Sequence, residues 1–265
     1  MTGAKAGVLS GQHAVVTGGS RGIGAAIATA LAADGAAVTI LGRGVEDLDR
    51  HIAALRDRFG DSVRGIRCDV GTAADIDRAF AEAARAPGRV TILVNNAGYA
   101  DARPFEEISS ASWERTLAVN LTAAFLCIQQ VLPSMVAAGG GRIVNIASTA
   151  GLKGYARTAA YCAAKHGLVG LSRALAVETA RTGITVNTVC PGYTEGTGML
   201  NDAMANIMRA TGRSADEARA VLVRQSPRGT LVTPEEIADK VSWLCSPEAS
   251  SITGQAIVIA GGEVM

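Results

Sequence analysis

Short runs of apolar, β-branched residues alternate with longer alanine-rich stretches in this chain, and this alternation constrains its fold more than any other feature. The apolar runs are almost uninterrupted, as in parallel strands that are covered by helices on both faces. Repeated strand–helix alternation predicts an α/β fold with a doubly wound parallel sheet of about seven strands. The candidate strands are His13–Thr17, Ala37–Leu41, Val63–Asp69, Val90–Asn95, Arg142–Ser148, Thr185–Cys190 and Ala256–Ala260. The candidate helices are Ile23–Asp34, Val45–Phe59, Ala73–Ala86, Ser112–Ala138, Thr158–Thr182 and Pro234–Ser246.

One segment breaks this rhythm in a chain that otherwise predicts a single domain over residues 1–265, without a linker or low-complexity tract. The segment Glu195–Thr230 has a helical pattern and contains no strand of its own. It carries Met199, Met204 and Met208. We interpret it either as a small helical lid over a substrate pocket or as a surface helix pair whose methionines fill the core.

Composition excludes several classes of protein. Hydrophobic residues make up 48% and charged residues 18%, which favours a large buried core over disorder. The net charge of +1 gives no electrostatic reason to bind nucleic acid or an anionic membrane. The stretch Met1–Gln12 lacks the apolar segment of a signal peptide, and no apolar run reaches the 18 or so residues of a spanning helix. We therefore expect a cytoplasmic protein with neither nucleic acid nor membrane as a partner.

Neither cysteine nor histidine spacing suggests a metal site. The five cysteines form no Cys-x-x-Cys pair, and the three histidines show no metal-ligand spacing. We expect reduced and mostly buried thiols, with a reactive thiol at Cys162, beside Tyr161, as the alternative for one of them. The cysteines are Cys68, Cys127, Cys162, Cys190 and Cys245.

A glycine-rich loop follows the first candidate strand and leads into the first helix. Its sequence is Thr17-Gly18-Gly19-Ser20-Arg21-Gly22-Ile23-Gly24. Backbone N–H groups at a helix start, together with the helix dipole, bind phosphate, and glycines allow a pyrophosphate to approach. The spacing is G-x-x-x-G-x-G rather than the G-x-G-x-x-G dinucleotide fingerprint. Its position between a strand and a helix nevertheless predicts a dinucleotide site.

The end of the second candidate strand indicates which dinucleotide is bound. An acidic residue there would bind the hydroxyls of the adenosine ribose, but the sequence is Leu41-Gly42-Arg43. Arg43 and Arg21 could together neutralise a 2′-phosphate, because a guanidinium matches phosphate geometry. The alternative is that both are ordinary surface arginines. The missing acid favours NADPH over NADH, with NAD still possible.

Polar residues follow the later strands, at the edge where open α/β sheets bind ligands. Asp69 could accept a hydrogen bond from an adenine amino group, or it could cap the next helix. Asn96 could contact a ligand or stabilise a turn. Ser148 could hydrogen-bond a substrate carbonyl and stabilise a developing alkoxide. Asn120, polar within an apolar helical run, could hold a water that relays protons or could be a satisfied core side chain.

Tyr161 and Lys165 supply a candidate acid/base pair. Residues four apart on a helix lie on one face. An ammonium beside a phenol favours the phenolate, which would bring the pKa of the tyrosine below its usual value of about 10. With the glycine-rich loop, the pair predicts hydride transfer that is coupled to proton transfer. Taken alone, the pair is weak evidence, because many helices carry a solvated lysine beside a half-buried tyrosine.

Together these motifs resemble the short-chain dehydrogenase/reductase family, over essentially the whole chain. T-G-x-x-x-G-I-G, N-N-A-G, a helical Asn, a Ser, Y-x-x-x-K and P-G occur in the family's order and at its usual spacings. The resemblance implies a Rossmann-type fold. The strings Ala180–Asn187 and Val189–Gly192 are similar to those of NADP-preferring 3-oxoacyl-thioester reductases and polyketide ketoreductases. Those relatives imply a homotetramer.

The resemblance also implies a role for each matching residue. Tyr161 would be the general acid/base, and Lys165 would bind the nicotinamide ribose and lower the pKa of Tyr161. Ser148 would orient the carbonyl, and Asn120 would anchor a water chain. The expected cofactor contacts are Gly18, Ser20, Arg21, Gly22, Ile23, Gly24, Arg43, Asp69, Val70, Asn96, Ala97, Gly98, Tyr161, Lys165, Pro191, Gly192, Thr194 and Thr197.

One departure from the family concerns the contact with the nicotinamide. The usual pattern is P-G-x-x-x-T, but Gly196 occupies the place of the threonine. A one-residue insertion would bring Thr197 into that role.

The expected activity is NADPH-dependent reduction of a ketone, such as a 3-oxoacyl thioester or a polyketide, with Tyr161 as the acid. The segment Ala150–Thr158 and the lid would shape the pocket, with Tyr155 as a wall, and Glu195 and Arg157 could meet a polar substrate end or only water. One alternative is a dehydrogenase that oxidises a secondary or cyclic alcohol with NAD(P). An alternative of another class is a non-catalytic NADPH-binding sensor or complex subunit.

Overall fold

A computed structural model describes residues 7–85 and 87–264. The first six residues of the Met1–Gln12 segment and the predicted helix end at Ala86 lie outside this range. The strands are β1 His13–Thr17, β2 Ala37–Gly42, β3 Val63–Arg67, β4 Ile92–Asn95, β5 Gly141–Ile146, β6 Ile184–Pro191 and β7 Ala256–Ile259. The helices are α1 Gly22–Ala33, α2 Val45–Phe59, α3 Ala73–Ala83, α4 Ser110–Leu117, α5 Ala123–Ala137, α6 Ala159–Glu178, α7 Gly198–Thr211, α8 Ala215–Val223 and α9 Pro234–Cys245.

The seven strands form one parallel sheet in the order β3-β2-β1-β4-β5-β6-β7. The predicted doubly wound sheet is therefore confirmed. The order reverses direction between β1 and β4, and in such sheets ligands bind at the carboxyl ends of the strands beside this reversal. Separate apolar cores fill the two faces, one containing Ile27 and Val241, the other Phe80 and Val131.

Local sequence signals explain where several helices begin. The predicted start of α9 at Pro234 is correct, since Thr233 and Glu236 form a capping box around it. In contrast, α1 begins at Gly22, and among the described residues no side chain caps it. The free N–H groups of its first turn therefore face the carboxyl edge of the sheet.

The predicted helix Ser112–Ala138 is interrupted rather than continuous. It begins at Ser110, capped by Ser109, and contains a π-helical turn, Ala118–Thr122, between α4 and α5. Such turns often mark functional sites. By length and composition Ser110–Ala137 passes the test for a helix that could cross a membrane, so the expectation that no stretch reaches that length was wrong. Core helices of this kind pass the same test, and the inner face of α5, with Cys127 and Met135, is buried against the sheet.

The thiols follow the expectation in part. All five cysteines are free, and Cys68, Cys127, Cys190 and Cys245 are buried. Burial raises the pKa of the Cys68 thiol to about 11. Cys162 is only half-buried, with its Sγ 3.4 Å from Oγ1 of Thr158. In the part of the chain that the structure describes, no three His, Cys, Asp or Glu side chains are grouped to hold a metal ion.

Candidate active site

A cavity of about 710 Å³ opens at the carboxyl ends of the strands. It is bounded by the loops that follow β1 to β6 and by the start of α7. It brings together every site residue predicted from the sequence except Asn120. These lining residues are Gly18, Ser20, Arg21, Gly22, Ile23, Gly24, Arg43, Asp69, Val70, Asn96, Ala97, Gly98, Ser148, Tyr161, Lys165, Pro191, Gly192, Thr194 and Thr197.

The glycine-rich loop is packed so closely that two of its positions require glycine. Gly18 has φ +63°, and a Cβ atom there would lie 2.9 Å from Cα of Ala97. A Cβ at Gly24 would lie 2.3 Å from the carbonyl oxygen of Gly18 and 2.4 Å from Nδ2 of Asn96. All three distances are below van der Waals contact. The loop therefore exposes backbone to the cavity, as a pyrophosphate requires.

Asn96 and Thr17 fasten this loop to the end of β4. The Asn96 amide nitrogen Nδ2 donates to the carbonyl oxygens of Thr17, at 3.0 Å, and Gly18, at 3.1 Å. In return, Oγ1 of Thr17 accepts from the backbone N–H groups of Asn96 and Ala97, both at 3.0 Å. The side chain of Asn96 thus holds the loop, which matches the turn-stabilising alternative.

The residues beside the end of β2 suit a phosphate more than a ribose hydroxyl. A Cβ built on Gly42 would lie 3.4 Å from Oγ of Ser20, so this strand end touches the glycine-rich loop. Arg21 and Arg43 also line the cavity. Sequence reasoning missed Asp47, which also lines it, although this carboxylate pairs with Arg50 at 3.1 Å.

Asp69 lies two residues beyond the end of β3, which is shorter than predicted. Its Oδ1 accepts from the N–H of Gly71 at 3.0 Å, closing a turn at the cavity wall. Its own N–H donates to Oδ2 of Asp75 at 2.9 Å. Since α3 is preceded by Thr72 instead, Asp69 does not cap that helix.

Tyr161 and Lys165 stand on the first turns of α6, facing the loop after β5. Both side chains are buried. Nζ of Lys165 donates to the carbonyl oxygen of Ile146 at 2.8 Å and lies 5.6 Å from the centre of the Tyr161 ring. Ser148 lies two residues beyond β5, and its Oγ accepts from the N–H of Ala150 at 3.1 Å. Phenol, hydroxyl and amine therefore converge on one part of the cavity.

The expected lowering of the tyrosine pKa is wrong for this structure. Burial raises the pKa of the Tyr161 phenol to about 12, and the nearby Ser148 hydroxyl offsets only part of this rise. Burial also lowers the pKa of Lys165 to about 8. The physical reason is that removal from water penalises the charged form of each group.

Asn120 lies in the π-helical turn and lines a separate small cavity. Its Nδ2 donates to the carbonyl oxygens of Tyr99, at 2.9 Å, and Thr116, at 3.0 Å. Its Oδ1 accepts from the N–H of Tyr99 at 3.3 Å. The side chain is thus satisfied by backbone, in keeping with the core alternative.

The small cavity beside Asn120 measures about 10 Å³, close to the space that one water needs. Lys165 and Asn95 line it too. The Asn95 amide donates to Oδ1 of Asn145 at 2.8 Å, whereas its own buried Oδ1 has no partner among the described residues. A polar cavity of this size fits the expectation of a relaying water.

The loop after β6 leads into α7. Gly196 has φ +65°, and Thr197 caps the helix by accepting from the N–H of Leu200 at 3.3 Å. A Cβ on Gly22 would lie 3.5 Å from Cγ2 of Thr197. Gly196 thus makes the turn that brings Thr197 to the glycine-rich loop, as the predicted insertion requires.

The methionines of the interrupting segment have three different environments. Met199 lines the cavity, and the Tyr161 hydroxyl lies 3.9 Å from its Sδ. Met204 packs between α7 and α8 with Leu222, and Met208 is exposed. Met199 therefore lies where the lid interpretation would place it, Met204 fits the core-filler interpretation, and Met208 fits neither.

Of the other residues predicted to shape the pocket, some line the cavity and others do not. Tyr155 lines the cavity, whereas Glu195 pairs with Arg219 of α8 and is not among the lining residues. Arg157 is exposed with φ +67°, and its carbonyl accepts from the N–H of Arg103 at 2.8 Å. Ala150 and Thr158, the two ends of the predicted pocket segment, line the cavity as well. The structure adds Thr149 and Tyr193, for which the sequence offered no individual signal.

Comparison with known proteins identifies the class to which this fold and site belong. A family model described as short chain dehydrogenase matches residues 12–207. The chain belongs to this family, which confirms the resemblance inferred from its motifs. It is accordingly an oxidoreductase of the type that acts on CH–OH and C=O groups.

Individual relatives cover nearly the full length. A curated protein of Streptomyces coelicolor, named "Putative ketoacyl reductase", is 39% identical over 253 residues, which are 95% of this chain and 96% of that protein. The 2-(S)-hydroxypropyl-CoM dehydrogenase 3 of Xanthobacter autotrophicus is 38% identical, with 96% and 97% covered. The crystal structure of an actinorhodin polyketide ketoreductase variant with NADPH has a TM-score of 0.92 at 38% identity, with 98% and 99% covered.

Proposed function

We propose that the protein is an NADPH-dependent reductase that transfers hydride to the carbonyl carbon of a ketone, with Tyr161 as the proton donor. The observation that carries the proposal is that Tyr161, Ser148 and Lys165 face the same cavity as the glycine-rich loop. The similarity to ketoreductases, including one solved with NADPH, supports the same assignment. The substrate would be a 3-oxoacyl thioester, a polyketide or a similar carbonyl.

In this mechanism the reduced nicotinamide supplies the hydride. The protein holds the carbonyl oxygen of the substrate and donates a proton to it. The hydroxyls of Ser148 and Tyr161 hold the carbonyl oxygen and stabilise the charge that develops on it. Tyr161 then gives its proton to that oxygen. A phenol whose pKa is about 12 keeps its proton at neutral pH, so it is in the form that a reductase needs.

Lys165 is proposed to bind the nicotinamide ribose and to bring the proton that recharges Tyr161. Its Nζ is anchored on the carbonyl of Ile146, and it lines the small cavity that Asn120 and Asn95 share. A single water there would connect Lys165 to the π-helical turn. Asn120 would keep this turn in place.

The other cofactor contacts are proposed from their places around the cavity. Gly18 to Gly24 would hold the pyrophosphate, and Asp69 and Val70 the adenine. Asn96, Ala97 and Gly98 would border the adenosine ribose. Arg21, Arg43 and Ser20 would bind a 2′-phosphate, because all three line the cavity and a guanidinium matches phosphate geometry. Pro191, Gly192, Thr194 and Thr197 would border the nicotinamide.

The organisation of the protein is part of the proposal. Residues 1–265 would form a single domain in which 195–230, containing α7 and α8, is the substrate lid. Met199 beside Tyr161 supports a lid role for the start of α7. We propose a soluble, cytoplasmic homotetramer, with no nucleic acid or membrane partner.

A second candidate is the reverse reaction, oxidation of a secondary or cyclic alcohol with NAD(P). The similarity to a 2-(S)-hydroxypropyl-CoM dehydrogenase favours keeping it. The same groups serve both directions, because Tyr161 would then accept the proton it otherwise donates. A non-catalytic NADPH-binding role would leave the convergence of Ser148, Tyr161 and Lys165 without a purpose.

The function is tested by following the absorbance of the reduced nicotinamide with acetoacetyl-coenzyme A, cyclohexanone and 1-tetralone, each with NADPH and with NADH. We expect reduction of at least one ketone and a preference for NADPH. Tyr161→Phe should lower kcat by about a thousandfold, because it removes the acid, while NADPH still binds. Unchanged turnover in Tyr161→Phe would refute the assigned acid. Binding of NADPH without turnover of any ketone or alcohol would favour the sensor.

A further inference from the structure

We propose that Glu263, in the segment after β7, is a positioning residue that fixes Tyr155 as the wall of the substrate pocket and thereby sets which ketones fit. The inference rests on the proposed function. Tyr155 lines the large cavity, and Glu263 lies behind it. The two residues are 108 positions apart in the chain.

The carboxylate of Glu263 is an unusual group at this place because its side chain is only 4% exposed. It accepts a hydrogen bond from the Tyr155 hydroxyl. Nζ of Lys153 lies 3.3 Å from the same carboxylate oxygen and 4.8 Å from the centre of the Tyr155 ring. A buried carboxylate needs such partners, since an isolated buried charge is costly. The tyrosine is therefore held from two sides.

The Tyr155 hydroxyl donates its one proton to a single acceptor. A carboxylate can only accept hydrogen bonds, so the phenol proton points to Glu263. The Thr149 hydroxyl lies 2.6 Å from the Tyr155 oxygen and must then donate to it. The result is a directed chain from Thr149 through Tyr155 to Glu263. Its first member follows Ser148 directly in the sequence.

Glu263 also touches the loop on the other side of the pocket. A Cβ on Gly192 would lie 3.0 Å from its second carboxylate oxygen. The N–H of Gly192 donates to the carbonyl of Ile259 at 3.0 Å, and the N–H of Glu263 donates to that of Ala260 at 3.2 Å. One side chain thus joins the loop after β5, the loop after β6 and the segment after β7.

The contact between Glu263 and Tyr155 should affect how the substrate binds and leave the rate of the chemical step unchanged. Tyr155 borders the pocket, whereas Tyr161 and Lys165 are held by α6 and by Ile146. Without Glu263, the Tyr155 ring loses its anchor and the Thr149 hydroxyl is released. The pocket then becomes wider and less defined. This change weakens the binding of a small ketone more than the binding of a bulky one.

The test compares Glu263→Leu and Glu263→Gln with the unchanged enzyme, using cyclohexanone as the small ketone and 1-tetralone as the bulky one. In Glu263→Leu we expect the KM of cyclohexanone to rise about tenfold, with a smaller change for 1-tetralone. The kcat should change by less than about threefold, and NADPH should bind as before. In Glu263→Gln the KM of cyclohexanone should stay close to that of the unchanged enzyme, because the amide oxygen still accepts a hydrogen bond from Tyr155. Glu106→Leu, which changes an exposed carboxylate outside the pocket lining, should leave both constants unchanged.

A double-mutant cycle in denaturant unfolding tests the contact without any turnover. Glu263→Leu, Tyr155→Phe and the double variant should give non-additive midpoints, with the double variant less destabilised than the sum. Additive midpoints, or an unchanged cyclohexanone KM in Glu263→Leu, would overturn the inference while the reductase function stood. If the unchanged protein reduced neither ketone, the proposed function would fail for these substrates, and the cycle alone would decide about Glu263.

Discussion

The two sides of the large cavity are built differently. The side formed by the loops after β1 to β4 contains the close-packed glycine-rich loop, whose backbone the amide of Asn96 holds in place. The side formed by the loops after β5 and β6 and by α7 presents side chains such as Tyr155 and Met199. Backbone recognition suits a constant ligand such as a dinucleotide, whereas side chains can be exchanged one at a time. The difference indicates where this chain has room to change its substrate.

The glycines make the contrast quantitative. On the first side, a Cβ at Gly24 would lie 2.3 Å from a backbone oxygen, and one at Gly18 would lie 2.9 Å from Ala97. On the second side, a Cβ at Gly198 would meet no atom within 4 Å among the described residues, although Gly198 lines the same cavity. We therefore expect the first side to reject, and the second to accept, the same small substitution.

Gly24→Ala should give the largest effect. The added methyl overlaps the carbonyl of Gly18 and the amide of Asn96, so the loop must move. We expect the free energy of unfolding to fall by about 3 kcal/mol and the Kd of NADPH to rise about a hundredfold. Denaturant unfolding and nicotinamide fluorescence would measure the two changes.

Gly198→Ala is the matched control for this comparison. It adds the same methyl at the first position of α7, where alanine suits a helix better than glycine. Stability should change by less than about 1 kcal/mol, and NADPH should bind as before. Equal losses in the two variants would contradict the division of the cavity into a rigid and an adaptable side.

The rigid side is also the side that the sequence predicted well. The bounds of β1 were correct, and the glycine pattern identified the loop, because glycine is needed where backbone approaches backbone. The sheet and the family were confirmed as well. These features depend on local spacing, which a sequence displays directly. The role of each residue in binding stays a prediction.

The adaptable side could not be predicted in the same detail. Glu263 contacts Tyr155, from which it is 108 residues distant in the sequence, and no periodicity or motif predicts such a contact. The π-helical turn at Asn120 was missed because an extra residue in a helix leaves the apolar pattern nearly intact. The predicted direction of the Tyr161 pKa shift was wrong because burial raises this pKa, and burial is a property of the packed structure.

Lys165 lies where the two sides meet, and its burial predicts a pH dependence of stability. Its pKa is about 8 in the folded protein, against 10.5 for the free side chain. Between these values the unfolded chain holds a proton that the folded protein has released, so stability rises with pH. Relative to Lys165→Met, the unchanged protein should gain about 2 kcal/mol of unfolding free energy from pH 7.5 to 9.5. Urea unfolding at several pH values would measure it, and a constant difference would contradict the buried amine.

Met199→Leu should give the smallest effect and the sharpest test of the adaptable side. Leucine preserves most of the volume but removes the sulphur that lies 3.9 Å from the Tyr161 hydroxyl. We expect the ketone KM to change by about two- to threefold, with NADPH binding unaffected. Met208→Leu is the control, because Met208 lies on the same helix with the same 38% exposure but is outside the cavity lining. Equal effects of the two variants would mean that α7 acts through its general packing. A change in NADPH affinity in Met199→Leu alone would mean that the two sides of the cavity are coupled through Tyr161.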